Sequence, residues 1–304
     1  MRYIHVFLSF IAAACLTACN ASPQPVELNT VKEGKPSLWK VTGTKSEQKG
    51  SAFLFGTIHI LPKDVKWRTP VLENAISQSD RLIIEVLGLE DTAAASKIFA
   101  KLALSPGQPG VEERVKPSLR DDLDKMIDKA NIPEFALNRM ESWAVALSLA
   151  SAQTNGLGLT SGEGVEKKLT TQFVELKKPV EGLESIEQQL GYFDKLPEAQ
   201  QREMLTSVVE EAGGTKEAFE ELFNAWITGD GEKIVKLSDG GLLADPEIRQ
   251  KILVDRNLDW AKQLDKKLQQ PGTSFVAVGT AHLVGFDAVQ EMLAKRGYKI
   301  EKIQ

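Results

Sequence analysis

An α/β fold, with a mixed, largely parallel central sheet and a large all-helical insertion, follows from three observations. Short apolar runs of strand length end in a glycine or an acid. Near the front of the chain they follow one another as strand, helix, strand, an order that implies a right-handed parallel crossover. Between about residues 91 and 270 the apolar positions recur at helical spacing, with one brief extended interruption.

Leu38, Trp39, Lys40, Val41 and Thr42 alternate as a half-buried strand does. Gly43 to Gly50 is a polar turn, and Ser51 to Gly56 completes a hairpin. Pro70 to Ser79 reads as a short amphipathic helix, because proline near a helix start lacks only an N–H that would go unused. Arg81 to Val86 is a strand that carries the acid Glu85. Helical spacing then runs from Asp91 to Gln172, through Leu119, Leu123, Met126 and Ile127 and again through Leu137, Met140, Ala144 and Leu147. Lys178 to Glu184 returns to the sheet. Ile186 to Leu268 resumes helices, broken at Pro197, Gly213-Gly214, Gly229 and Gly240-Gly241. A strand from Ser274 to Val278, a helix from about Gly285 to Arg296 and a strand from Tyr298 to Ile303 close the chain, with Gly297 as helix stop. The five tryptophans read as packing residues, and Trp67 is close enough to His59 in sequence to line a cleft.

The front of the chain carries an address. Arg2 precedes an apolar run from Val6 to Ala18 that is too short to span a bilayer, as in a secretory leader. It ends in Leu16-Thr17-Ala18-Cys19, which resembles the bacterial lipobox, so residues 1–18 are expected to be removed and Cys19 to be acylated. Several acyl chains on one residue make a firm membrane anchor. Asn20, where an inner-membrane retention signal would have Asp, points to the outer membrane with the domain facing the periplasm. Residues 19–35, with Pro23 and Pro25, read as a tether, and 36–304 as one domain with its helical insert at about 91–270.

Without the leader the chain keeps 286 residues, with 36 basic against 42 acidic side chains, a net charge of −6. That length buries a large core. One cysteine remains, which excludes an intrachain disulfide, Cys-x-x-Cys redox chemistry and thiolate-rich zinc sites. Mild acidity without a basic stripe argues against nucleic acid. No Gly-x-Ser-x-Gly elbow, His-Glu-x-x-His helix or phosphate-cradling glycine loop is present. Oligomeric state leaves no signature.

What stands out is histidine. The chain has three, and the two beyond the leader close the same tetrapeptide, Gly56-Thr57-Ile58-His59 and Gly279-Thr280-Ala281-His282. Each follows an apolar run, so each delivers an imidazole just past the carboxyl edge of a sheet, where open α/β sheets keep their ligands. If the two strands are neighbours, the histidines converge.

Those motifs, with Glu85 closing its strand, Gly164-Val165-Glu166 before a helix, Pro179-Val180-Glu181-Gly182-Leu183-Glu184, Arg256-Asn257 with Trp260, and Val278 to Leu283, resemble the TraB/PrgY/GumN family, which includes the Tiki proteins. The resemblance implies a fold akin to the erythromycin-esterase (EreA) and ChaN-like proteins, and metal-dependent peptidase activity as in the Tiki branch. One position departs: the family commonly has Gly-x-Asp where this chain has Gly164-Val165-Glu166, so Glu166 is left out of the expected site.

Two imidazoles and one or two carboxylates suit a divalent ion such as Zn, Mn, Co or Fe, with a position left for water. His59, His282 and Glu85 are the candidate ligands, and Glu184 is a ligand or general base unless it caps the helix after Ser185. Arg256, with Asn257 beside it, is the candidate to hold a substrate carboxylate or a developing oxyanion. The leading expectation is therefore an outer-membrane-tethered, metal-dependent hydrolase acting on peptides or small amides or esters. The alternatives are a metal-free hydrolase with histidine bases and Glu85 orienting one of them, a haem- or iron-binding lipoprotein, and an envelope scaffold.

Overall fold

The computed structural model describes residues 28–62, 64–156 and 164–304. Cys19 and the leader lie outside the described residues. Among the described residues no helix is long and apolar enough to cross a membrane.

Strand β1 (Leu38–Gly43) turns into β2 (Gly50–Thr57) as an antiparallel hairpin, with Leu38 opposite Phe55 and Thr42 opposite Ser51. Helix α1 (Pro70–Gln78) starts where Leu72 N–H donates to the hydroxyl of Thr69, and it leads to β3 (Arg81–Leu87). Helices α2 (Thr92–Ala103), α3 (Arg120–Ala130), α4 (Glu134–Leu137), α5 (Ser142–Gly156) and α6 (Val165–Glu175) precede β4 (Val180–Ser185). Next come α7 (Ile186–Asp194), α8 (Glu198–Glu211), α9 (Thr215–Ile227), α10 (Gly231–Ser238), α11 (Pro246–Arg249) and α12 (Asp255–Leu268). The chain ends with β5 (Gly272–Gly279), α13 (Val289–Lys295) and β6 (Tyr298–Lys302).

These strands make one sheet in the order β4-β3-β5-β2-β1-β6. The first four run parallel, and β1 is antiparallel to both β2 and β6. The mixed, largely parallel sheet expected from the sequence is thus present, and β2 and β5, the two histidine-bearing strands, are neighbours.

Both faces of the sheet are covered, as a parallel sheet requires. Phe53, Phe55, Leu82, Ile84 and Phe275 pack with residues of α1, α6 and α9, while Ala52, Leu54, Ile83, Val276 and Val278 pack with residues of α12 and α13. The helical stretch expected at about 91–270 therefore divides between two jobs. α6, α9 and α12 are layers of the sheet domain, whereas α2, α3, α5, α7 and α8 build a separate apolar cluster that meets the sheet at Val86 and the turn after β5 at Ala281.

Three local expectations change. Trp67 does not line a cleft; it is 2% exposed, stacked on Phe55 at 5.8 Å and beside Trp226 at 6.4 Å. The last helix starts at Val289 and not near Gly285, because Gly285 adopts φ +85° and turns the chain away from helix. The end of the tether is already docked: Asn29 N–H donates to Glu220 at 2.7 Å, and Val31 N–H to Asn224 at 2.8 Å.

Candidate functional site

Four parallel strands deliver their carboxyl ends to one edge. Thr57 pairs with Gly279 there, so His59 and His282 leave the sheet from the same rung, two and three residues further on. The register sets Gly56 beside Val278, one step out of line with the sequence repeat. The two motifs are therefore not equivalent in space: His59 sits in an open loop, while His282 sits in a short 3-10 turn, Thr280–Leu283. Close approach makes Gly56 necessary, since a Cβ there would lie 2.7 Å from the hydroxyl of Thr280.

His59 is the less buried of the two histidines, although its Nε2 is not exposed. Its side chain is 14% exposed and its Nδ1 lies 2.8 Å from Glu166, which is 16% exposed. Glu166 enters from the first turn of α6, which docks by Val165 N–H donating to Ile58 O at 3.3 Å. The hydroxyl of Thr57 donates to the same carboxylate oxygen at 2.5 Å. Burial opposes ionisation of Glu166, but the neighbouring His59 and the bonds from His59 and Thr57 outweigh it and hold the carboxyl below its ordinary range. Whenever His59 is neutral, an ionised Glu166 keeps its proton on Nδ1 and leaves Nε2 as the basic nitrogen.

Beneath this pair lies a buried network centred on Arg256. A guanidinium has five N–H donors. Nε donates to Glu184 Oε1 and Nη2 to Glu184 Oε2, both at 2.9 Å; Nη2 also donates to Glu85; Nη1 reaches Ile252 O at 3.2 Å and His282 Nε2 at 3.4 Å. Every donor is thus directed at a protein group. The carbonyl of Ile252 belongs to a π-helical segment, Gln250–Val254, that joins α11 to α12.

The two carboxylates are held from other sides as well. Gln189 Nε2 donates to Glu85 at 2.7 Å, Gly279 N–H faces its other oxygen at 3.3 Å, and Trp260 Nε1 donates to Glu184 at 2.8 Å. Burial resists ionisation of Glu85, but Arg256 prevails and pulls it down to about 2, whereas burial pushes Glu184 up. Glu184 does not cap α7: the Ser185 side chain does so, accepting from Gln188 N–H while Gln188 accepts from Ser185 N–H.

Asn257 orients His282. Its amide nitrogen donates to Asp287 O at 2.9 Å, which leaves Oδ1 to face His282 Nδ1 at 2.5 Å. An amide oxygen only accepts, so Nδ1 carries the proton and Nε2 accepts from Arg256. Burial, and then the charge of Arg256, bring the imidazole down to about 3, which keeps it neutral at ordinary pH. The ring of Trp260 covers it at a centroid distance of 4.2 Å.

All six inner residues predicted from the sequence therefore gather at one edge: His59, His282, Glu85, Glu184, Arg256 and Asn257. Glu166, set aside for its departure from the family pattern, and Trp260, read as packing, belong with them, and Gln189 and Asp287 were missed. Glu166 had a signal in Gly164-Val165-Glu166, and Trp260 one in its helical spacing from Arg256. Gln189 and Asp287 had none.

The donor set can also be weighed against a divalent ion. Both imidazoles have Nδ1 held by an outer group, the arrangement seen in metal-binding histidines. Glu85, however, is tied to Arg256 and Gln189, and the guanidinium stands beside Nε2 of His282 where an ion would have to sit. Among the described residues no group of three or more His, Cys, Asp or Glu side chains is placed to hold a metal ion. In this arrangement His59, His282 and Glu85 do not fit one.

Comparison with known proteins agrees with the motifs. The chain is 24% identical over 241 residues to the uncharacterized protein YbaP of Escherichia coli (strain K12), covering 79% of this chain and 86% of that protein. It is 20% identical over 312 residues to an uncharacterized protein of Treponema pallidum (strain Nichols), covering 97% and 90%. No solved structure matches. The model of the TraB/PrgY/gumN family matches residues 37–302, a span that takes in both Gly-x-x-His turns, all six strands and every residue of the Arg256 network, and the chain belongs to that family.

Proposed function

We propose that this protein is a hydrolase in which His59, paired with Glu166, is the acid–base residue and the Arg256 network is the rigid floor beneath it. The observation that carries this is the 2.8 Å contact between His59 Nδ1 and Glu166 at the carboxyl edge of the sheet, where the second histidine is buried and neutral. Nε2 of His59 is itself buried, so the loop after β2 must shift to admit water; Nε2 then takes a proton from water as the water oxygen attacks a carbonyl carbon. Ionised Glu166 steadies the imidazolium, which then returns the proton to the departing nitrogen or oxygen. Peptides and small amides or esters are the substrate class, and lipidation at Cys19 would hold the enzyme at the envelope, facing the periplasm.

Arg256 has no part in binding substrate here, because its donors are taken up by Glu184, Glu85, Ile252 and His282. A second reading rests on the held Nδ1 atoms: in an arrangement other than this one, His59 and His282 would hold an ion such as Zn, Mn, Co or Fe, which would supply activated water. One set of measurements separates the two: hydrolysis of a peptide and ester panel, with elemental analysis, on wild type, His59→Ala and Glu166→Gln. The acid–base reading expects activity without stoichiometric metal, abolished in His59→Ala and lowered by about 10²-fold or more in Glu166→Gln. Metal bound by wild type and lost from His59→Ala would replace it with the second reading. Membrane fractionation of Cys19→Ser tests the anchor, and unchanged membrane retention would remove it.

A further inference from the structure

We propose that Arg249 and Asp287 are positioning residues that set the tautomer of His282, acting through Asn257. A side-chain amide can turn either its oxygen or its nitrogen towards an imidazole, and that choice decides whether Nδ1 bears the proton. Asn257 cannot choose freely. The backbone carbonyl of Asp287 accepts only, so at 2.9 Å it takes the NH₂ end and leaves Oδ1 for His282.

Two devices hold that carbonyl in place. Gly285, at φ +85°, turns the chain back directly after the histidine motif, a conformation that side-chain-bearing residues rarely adopt. Arg249, the last residue of α11, then grips the Asp287 carboxylate with both terminal nitrogens. Asp287 is 5% exposed, so without Arg249 its charge would be buried and unpaired. The same loop carries Phe286, 81% exposed beneath the Arg249 guanidinium at 5.7 Å, so this loop links the protein surface to the buried ring.

The tautomer matters for the site. With the proton on Nδ1, His282 Nε2 offers a lone pair to Arg256 Nη1; the opposite tautomer would set N–H against N–H and push the guanidinium away from Glu85 and Glu184. The proposal concerns the arrangement of His282 and does not depend on the reaction proposed above.

Beyond the expected leader the chain has only two histidines, so ring nitrogen NMR of ¹⁵N-histidine-labelled protein reads the tautomer directly, with His282 assigned through His59→Gln. Wild type is expected to show His282 protonated at Nδ1 and bare at Nε2. Arg249→Leu and Asp287→Asn are expected to convert this to a mixture of tautomers, with Arg249→Lys restoring the wild-type pattern. A merely structural role for the ion pair would lower stability and leave the ring signals unmoved. An Nε2-protonated ring in wild type, or an Nδ1-protonated ring that persists in both variants, overturns the proposal. Should Arg249→Leu fail to fold, the gentler Asp287→Asn decides, since it keeps the shape and the backbone carbonyl and removes only the charge that Arg249 grips.

Discussion

Arg256 shows how much one side chain can organise. Its guanidinium is 1% exposed and sits between two carboxylates nearly as deep, 3% and 5% exposed for Glu85 and Glu184. Removing one member of such a group leaves buried charge uncompensated, which costs far more than the intact group contributes. Arg256→Leu is therefore expected to destabilise the fold by about 3–5 kcal/mol in urea denaturation. Arg256→Lys should recover little of that, because an ammonium is a single point of charge and cannot span Glu184, Glu85, Ile252 and His282 at once. A loss below about 1 kcal/mol for Arg256→Leu would show that the network is not what holds this edge together. These residues were visible in the sequence as a group, but their roles were not. Arg256 and the two glutamates look the same on paper whether they face a substrate, an ion or one another.

At the scale of elements, the hairpin, the crossover to β3 and the histidine turns could be read from alternation and glycine placement. The pairing of β2 with β5 could not, since their sequences lie over two hundred residues apart and only packing brings them together. The fit is tight at Gly56, where an added methyl would meet the Oγ1 and Cβ of Thr280 at 2.7 and 3.1 Å. Gly56→Ala should therefore force β2 and the His282 turn apart. A cost of about 1–3 kcal/mol is expected, read as a lowered unfolding midpoint. An unchanged midpoint would mean that the two motifs do not need this close approach. The one-step offset between the repeats also arises here, from sheet register, and it separates a partly exposed histidine from a fully buried one.

For the molecule as a whole, the helical cluster that meets the sheet at Val86 contains an ionisable flaw. Glu211, at the end of α8, has a buried oxygen with no hydrogen-bond partner among the described residues, and burial followed by the charge of Glu210 pushes its carboxyl up to about 8. Below pH 4.5 both folded and unfolded chains hold this proton, and the site costs nothing. Between 4.5 and about 8 only the folded chain keeps it, so stability falls as pH rises through that window. Glu211→Gln is expected to flatten this fall and to stabilise the protein near pH 8 by on the order of 2 kcal/mol, with little effect at pH 4. Equal pH profiles of unfolding for wild type and variant would refute it.

Strand and helix periods, the glycine turns and the paired histidines are short-range properties, set by backbone sterics and by which side chains can face a core. The sequence by itself therefore determined an α/β chain with an imidazole just past the carboxyl end of each of two strands, and its membership in a family. Which carboxylate each cation faces depends on packing between segments far apart in the chain. Only the tertiary structure could decide that Glu166, set aside in the sequence, orients His59, and that Glu85 and Glu184 turn instead to Arg256.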